Sequence, residues 1–434
     1  MTDSLIENSS TVRTGGRLTV AQGTALYVGA VLGTGVIALP ALAAEAAGPA
    51  SLLAWLALVV LSMPLAATFA ALGARYPDAG GVSTYVRNAF GPRAAAIVGW
   101  CFYFAVPAGA PAAALFAGGY VAAALGGGGT TTAVTGAILI VVVTVTNALG
   151  LRVSGRVQLV LAALLVALLL TAVLAALPHL RWDNLRPFAP HGWLAVGPAA
   201  ALLVWSFAGW EAITHLAADF RRPKRDLPRA ATIAVVVVGV LYLGVAGATV
   251  LVLGPAAGES EAPLAELLAL GIGGEVHLLA AVAALLLTLG TMNAYFAGAA
   301  KLGAALGRDG ALPAWLDRGS SAGEVPRRSL LVVSVLAAVA MAVAVAAGIG
   351  PKPLVLLTTG CFVLVYALGT AAALRLLPRG TRAHRSALFA LVAVTALLVM
   401  TGWYLLWPLL LAAGALLYLR LRRSTSDAAA SGLG

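Results

Sequence analysis

The chain has 434 residues, 61% of them hydrophobic and 10% charged, with a formal net charge of +11. So little charge cannot clothe a water-soluble fold of this size, while apolar runs of about 20 residues, each enough to cross a ~30 Å hydrocarbon core as a helix, recur along its length. The composition excludes a soluble domain and indicates an all-α integral membrane protein with twelve transmembrane helices.

Residues 1–17 are polar and form a tail. Span 1, over 18–45, breaks at half depth into Gly33-Thr34-Gly35, with Pro40 beyond. Glycine is a poor helix former, so the backbone there is weakly held. Gly-x-Gly in an apolar helix also serves close helix packing. The "ALAAEAA" that follows imitates a cleavage site, but the run exceeds the ~7–15 residues of a signal-peptide core. Span 2 covers 48–73. Span 3, over 94–124, holds Cys101 and two prolines, Pro107 and Pro111, which kink a helix and free carbonyls. Spans 4 and 5 cover 131–150 and 155–177.

Span 6, over 194–219, contains Gly209 and then Glu211, alone among the charged residues in falling near a bilayer centre. A carboxylate there costs roughly 2.5–3.5 kcal/mol on insertion scales, which marks a functional site by default. His215 and Asp219 follow on the same helical stripe. The stripe reads as a proton path, or Asp219 pairs with Arg221 or Arg222 at the interface. Span 7 covers 230–254, and Glu259, Glu261, Glu266 and Glu275 lie in or beside the next loop. Span 8, over 275–302, carries Thr288, Thr291, Asn293 and Tyr295. Spans 9 to 12 cover 329–348, 353–376 (with Cys361), 386–401 and 403–421, and 422–434 is a second tail.

All lysines and arginines except Arg181, Arg186 and Lys352 fall on the side of the two tails. The positive-inside rule therefore places both termini in the cytoplasm. The net charge is a topology signal, with contact to anionic lipid as a by-product. Scattered over separate loops, it does not suit nucleic acid. The cysteines read as packing residues. The histidines are dispersed and no CxxC occurs, so neither metal nor cofactor is expected. Without HExxH, GxSxG or paired carboxylates at depth, an enzyme is not expected.

Spans 1 and 6 are equivalent if 18–177 and 194–376 are two five-span repeats, with 386–421 outside them. An odd number of spans inverts the second repeat, and interruptions at matching places point to a transporter site. Unwinding a helix at half depth exposes amides on one half and carbonyls on the other. Amides at a positive dipole end hold a carboxylate, and carbonyls hold an ammonium.

"GTGVIALPAL", "YPDAGGVSTYVRNAFGPRAAAIVGW" (76–100), "FAGWEAITHLAADFRRPKRDLPRA" (207–230) and "GRDGALP" (307–313) occur in this order on the appropriate sides. They resemble the amino acid–polyamine–organocation superfamily, whose members have the LeuT-like 5+5 inverted-repeat fold with helices 1 and 6 broken. "LGTGVIALPAL", "AGGV", "VPAGAPAA" and "EAITHLAADFRRPKRDLPRA" further resemble the bacterial methionine and branched-chain amino acid exporters of that superfamily.

The resemblance implies that the amides of Thr34, Gly35 and Val36, with the Thr34 hydroxyl, hold a substrate carboxylate beside Gly33 in the same site, and that the Val31 carbonyl, with those of Trp205 and Ala208, holds its ammonium. Phe207 and Trp210 would gate or line the pocket, or pack between helices. Glu211 matches a family glutamate that senses protons or braces the broken helices, and His215 joins it as a coupling candidate. Pro107 would stand on a pocket wall, and Asn293 and Tyr295 would face the pocket or bridge helices. Some proton-coupled relatives carry a lysine in span 5, and 157–171 has none. Exchange, coupling through Glu211 and facilitated export all stay open. The expected function is export of neutral apolar amino acids across a bacterial inner membrane by alternating access. An importer or proton antiporter of the same fold is the alternative, and a membrane scaffold or sensor is the alternative of another class.

Overall fold

The computed structural model describes residues 18–76, 81–150, 155–211, 217, 220–273, 276–318 and 325–431. Among these the chain is helical, apart from one strand-like bridge between Leu18 and Phe220.

Where span 1 is expected, two helices stand, α1 (Val20–Val31) and α2 (Gly35–Ala47). Thr19 starts α1. Its Oγ1 accepts from the Gln22 amide at 3.3 Å, and the Gln22 side-chain oxygen accepts from the Thr19 amide at 3.0 Å. This reciprocal cap satisfies two amides that a helix start leaves open. α1 stops where Leu32 turns to ψ 67°. The Gly33 amide then folds back onto Val31 O at 2.8 Å, and α2 begins with no side-chain cap.

α3 (Ser51–Arg75), α4 (Val82–Phe90), α5 (Pro92–Leu125), α6 (Gly129–Ala148) and α7 (Gly155–Ala176) follow. The second interruption ends α8 (Val196–Phe207). Ala208 is extended, and Gly209 takes φ +126°, a region that glycine enters without a side-chain clash. The remaining helices are α9 (Pro223–Ala248), α10 (Pro263–Ile272), α11 (Val276–Arg308), α12 (Arg327–Ala346), α13 (Pro351–Leu376), α14 (Arg382–Met400) and α15 (Leu406–Ser431).

Nine helical stretches among the described residues are long and apolar enough to cross a membrane, and Val20–Val31, Ala163–His179 and Trp193–Phe207 are shorter apolar helices. A 12-residue helix such as α1 or α8 spans only ~18 Å. Each is therefore too short to cross a ~30 Å hydrocarbon core by itself. Three features depart from the sequence expectation. α4 and α10 occupy stretches read as loops, and α15 runs to Ser431, past the expected end of span 12.

α5 is packed by α4, α6, α11, α12, α13 and α15. α1 lies on α9, α2 on α8, and α3 on α8, α9 and α14. Five buried hydroxyls are satisfied within their own helices. Those of Ser62, Thr68, Thr249, Thr358 and Thr370 donate to the carbonyl four residues back at 2.7–2.9 Å, so they add no unpaired donor to the apolar interior. Cys101 and Cys361 are buried in the main core. Large apolar side chains stay exposed on the outer helices, among them Val141 on α6 at 60% and Phe389 on α14 at 69%. A lipid-facing surface tolerates such exposure.

The two interruptions meet. A Cβ on Gly35 would stand 2.2 Å from Ser206 Oγ, and one on Gly209 would stand 2.9 Å from Ala30 O. Gly35→Val should therefore force α2 off α8 and cost about 1–3 kcal/mol, the usual range for overpacking. Gly298, with nothing within 4 Å of a Cβ, should accept alanine with an unchanged or raised melting temperature. Thermal unfolding in detergent reads both, and a Gly35→Val protein that melts with the unaltered one contradicts the close approach.

Candidate functional site

A cavity with about 60 Å³ open to water-sized spheres lies where the two interruptions face α5, α11 and α13. At ~10–15 Å³ for each water it has room for roughly four. Among the described residues its walls carry no charged side chain.

The first interruption contributes Ala30, Val31, Gly33, Thr34 and Gly35. The amides of Thr34 and Gly35 donate no hydrogen bond among the described residues. They sit at the start of α2, the positive end of its dipole. The second interruption contributes Trp205, Ser206 and Ala208. In a continuing helix the Gly209 amide would donate to Trp205 O. Here it donates to Glu211 Oε2 at 3.1 Å and to the Tyr366 hydroxyl at 3.2 Å. Ser206 Oγ is buried with no hydrogen-bond partner among the described residues. A lone polar atom on a cavity wall is one that a ligand or water completes.

Tyr242, wholly buried on α9, ties the two ends together. Its hydroxyl lies 2.7 Å from Val31 O and 2.8 Å from Ser206 O. A phenol has one proton, so it donates to one of these carbonyls at a time. Val31 O also accepts from the Gly33 amide, so with the Tyr242 proton turned towards it both its lone pairs are engaged. The ring of Tyr242 is held edge-on against Trp55 at 5.2 Å and Phe207 at 4.9 Å.

Glu211 is 3% exposed. Its Oε2 accepts from the Tyr366 hydroxyl at 2.5 Å as well as from the Gly209 amide. The carboxyl thus links the end of α8 to α13.

Of the residues singled out in the sequence, Val31, Gly33, Thr34, Gly35, Trp205, Ala208 and Tyr295 line this cavity together. Val36 is buried one step into α2, off the wall. Pro107 is buried in α5 but also off the wall, where Ala105, Val106, Gly109, Ala110 and Ala113 stand instead. Phe207 packs on Trp55 and Tyr242, and Trp210 on Tyr27 with ring centres 5.9 Å apart. Asn293 bridges helices. Its Oδ1 accepts from Asn147 Nδ2 at 2.7 Å and Thr146 Oγ1 at 3.3 Å. His215 and Asp219 lie outside the described residues. Thr291, noted on span 8 in the sequence, is on the wall as well. The sequence reading missed Ser206, Met292, Phe296, Thr358 and Phe362, all on the wall, and it missed Tyr242. Helical spacing from Tyr295 would have brought in Met292 at i−3, and from Met292 in turn Phe296 at i+4.

Residues 18–428 match the amino acid permease family. The L-methionine/branched-chain amino acid exporter YjeH of Escherichia coli (strain K12) is 35% identical over 418 residues, 94% of this chain and 97% of the relative. The uncharacterized amino acid permease YecA of Bacillus subtilis (strain 168) is 34% identical over 403 residues, 93% of this chain and 95% of the relative. The branched-chain amino acid permease BcaP of the same organism is 24% identical over 240 residues, 51% of this chain and 52% of the relative. The helical architecture, the apolar spans and these matches over nearly the whole length agree, and the chain belongs to the amino acid permease family.

Proposed function

We propose that this protein is a secondary active transporter that exports neutral apolar L-amino acids of the methionine, leucine, isoleucine and valine class by alternating access. The observation that carries the reading is the uncharged cavity onto which both helix interruptions open. A zwitterion has one charge for each kind of exposed main-chain group. Its carboxylate would sit at the amides of Thr34 and Gly35, beside the Thr34 hydroxyl. Its ammonium would sit at the carbonyl ends of α1 and α8. Because Tyr242 can donate to only one of Val31 O and Ser206 O, the other is left with a lone pair for the ammonium. Ser206 Oγ supplies a further polar contact. The side chain would meet Ala105, Val106, Met292, Phe296 and Phe362, an apolar wall that offers no partner to a second charge.

In this reading ten of the twelve spans form the 5+5 inverted repeat, 18–177 against 194–376, with the last two, 386–421, outside it. Both termini lie in the cytoplasm, and the membrane is the bacterial inner membrane. Two contacts suit opposing closures of a pathway. Leu18 meets Phe220 at the entry to α1, with the Arg221 amide donating to Leu18 O at 3.2 Å. Lys352, at the start of α13, pairs with Glu45 near the end of α2 at 2.9 Å. The export direction rests on the likeness to YjeH. The buried Glu211 favours a second reading, proton antiport through the same site, in which its carboxyl exchanges a proton as the α8 end moves against α13.

In proteoliposomes, external methionine, isoleucine or valine should drive counterflow of labelled leucine, while lysine and glutamate should not. Lysine acting as well as leucine would rule out the apolar site. Thr34→Leu should weaken leucine binding at least about tenfold, equivalent to ~1.4 kcal/mol, with the melting temperature kept; unchanged affinity would remove the first interruption from the site. Glu211→Gln should flatten the dependence of transport on pH if the carboxyl couples protons. A profile parallel to that of the unaltered protein would leave Glu211 a brace for the α8 end.

A further inference from the structure

A second and larger cavity, about 560 Å³, lies at the start of α5. It shares no wall residue with the first. Its α5 residues end at Ala96 and those of the first begin at Ala105, ~14 Å further along the helix at 1.5 Å per residue. It is therefore distinct from the transport site.

Its charged lining consists of three arginines, Arg87, Arg93 and Arg422, and one carboxylate, Asp309. Arg87 is paired with Asp309. Arg93 makes no ion pair among the described residues. The first turn of the 34-residue α5 forms part of the wall, so the positive end of a long helix dipole adds to the guanidinium charge. The chemistry is that of a phosphate receptor, since guanidinium forks match phosphate oxygens in pairs.

The surroundings say which phosphate. Leu419 and Arg422 bring the middle of α15 into the wall, and the same helix carries Leu417 and Leu421 at 57% and 59% exposure. The cavity thus opens beside an apolar, outward-facing helix surface at the level where that surface gives way to arginine. One turn deeper, Trp100 donates from its indole to Ala311 O at 2.7 Å and packs against Tyr418. Such amphipathic rings sit at headgroup level in membrane proteins. A soluble anion would have no use for this apolar border, whereas a phospholipid would lay its chains along it.

We propose that this cavity binds the headgroup of an anionic phospholipid, with Arg93 and Arg422 on its phosphate, in the leaflet on the side that the lysine and arginine distribution assigns to the cytoplasm.

The test uses the full chain, purified in detergent and stripped of lipid. It is offered an equimolar mixture of phosphatidylglycerol and phosphatidylcholine with matched chains, and bound lipid is counted by native mass spectrometry. Phosphatidylglycerol should be preferred. Arg93→Gln should reduce that preference about fivefold, the usual contribution of one arginine near an anionic lipid surface, and Arg93→Gln with Arg422→Gln should abolish it. Arg379→Gln with Arg382→Gln, exposed between α13 and α14, should leave it intact. Equal losses in the two pairs, or no preference in the unaltered protein, overturn the site. Inorganic phosphate that raises the melting temperature as much as phosphatidylglycerol does would reassign the cavity to a soluble anion and overturn the lipid. Melting in phosphatidylcholine nanodiscs checks the fold of each variant. Should the double variant fail to fold, Arg93→Gln alone decides, because that side chain breaks no ion pair when replaced.

Discussion

Inside a bilayer every unpaired main-chain amide or carbonyl costs several kcal/mol, and no water is at hand to relieve it. Two apolar helices that stop short, α1 at Val31 and α8 at Phe207, therefore impose a demand on everything around them. The structure answers it in three ways. Tyr242 brings one proton to two carbonyls, Val31 O and Ser206 O. Glu211 and Tyr366 take up the Gly209 amide. The amides of Thr34 and Gly35, and Ser206 Oγ, stay open on a cavity wall.

These open groups keep their positions because the packing behind them is tight. Glycine at 35 and 209 lets the two chain breaks approach within contact of each other's backbone. An aromatic cluster of Trp55, Phe207 and Tyr242 fixes the bridging hydroxyl from behind. Phe207 thus acts through Tyr242 and not through the ligand. The alanine-rich middle of α5 gives a smooth wall opposite the breaks. Such a wall discriminates little among apolar side chains, since one methylene is worth only ~0.8 kcal/mol. It penalises a second charge heavily.

Much of this was legible in the sequence wherever a residue type carried its own chemical label. Gly33-Thr34-Gly35 and Gly209 marked the interruptions because glycine weakens a helix, and Glu211 stood out because a buried carboxyl is costly. The wall of α5 was not legible, because Ala105, Gly109 and Ala113 differ in nothing from packing residues elsewhere. Helical phase explains two displacements. Residues 105, 106, 109, 110 and 113 share one face of α5, and Pro107 lies about 200° round from Ala105. On α11 the face is 291, 292, 295 and 296, which turns Asn293 towards Asn147. Trp210 was drawn to the pocket by its aromatic type, but its place in the turn after α8 sets it against Tyr27. The helices α4 and α10 were hidden in loops because each is short, at 9 and 10 residues, and has no full span to announce it.

Competition of leucine analogues with labelled leucine for the purified protein tests most directly whether bare main-chain groups recognise the ligand. If they do, N-acetyl-leucine, which lacks the ammonium, and leucine amide, which lacks the carboxylate, should each compete at least about a hundredfold more weakly than leucine, because each strands one set of buried polar groups. Either analogue competing on a par with leucine would mean that the paired helix ends do not hold the substrate.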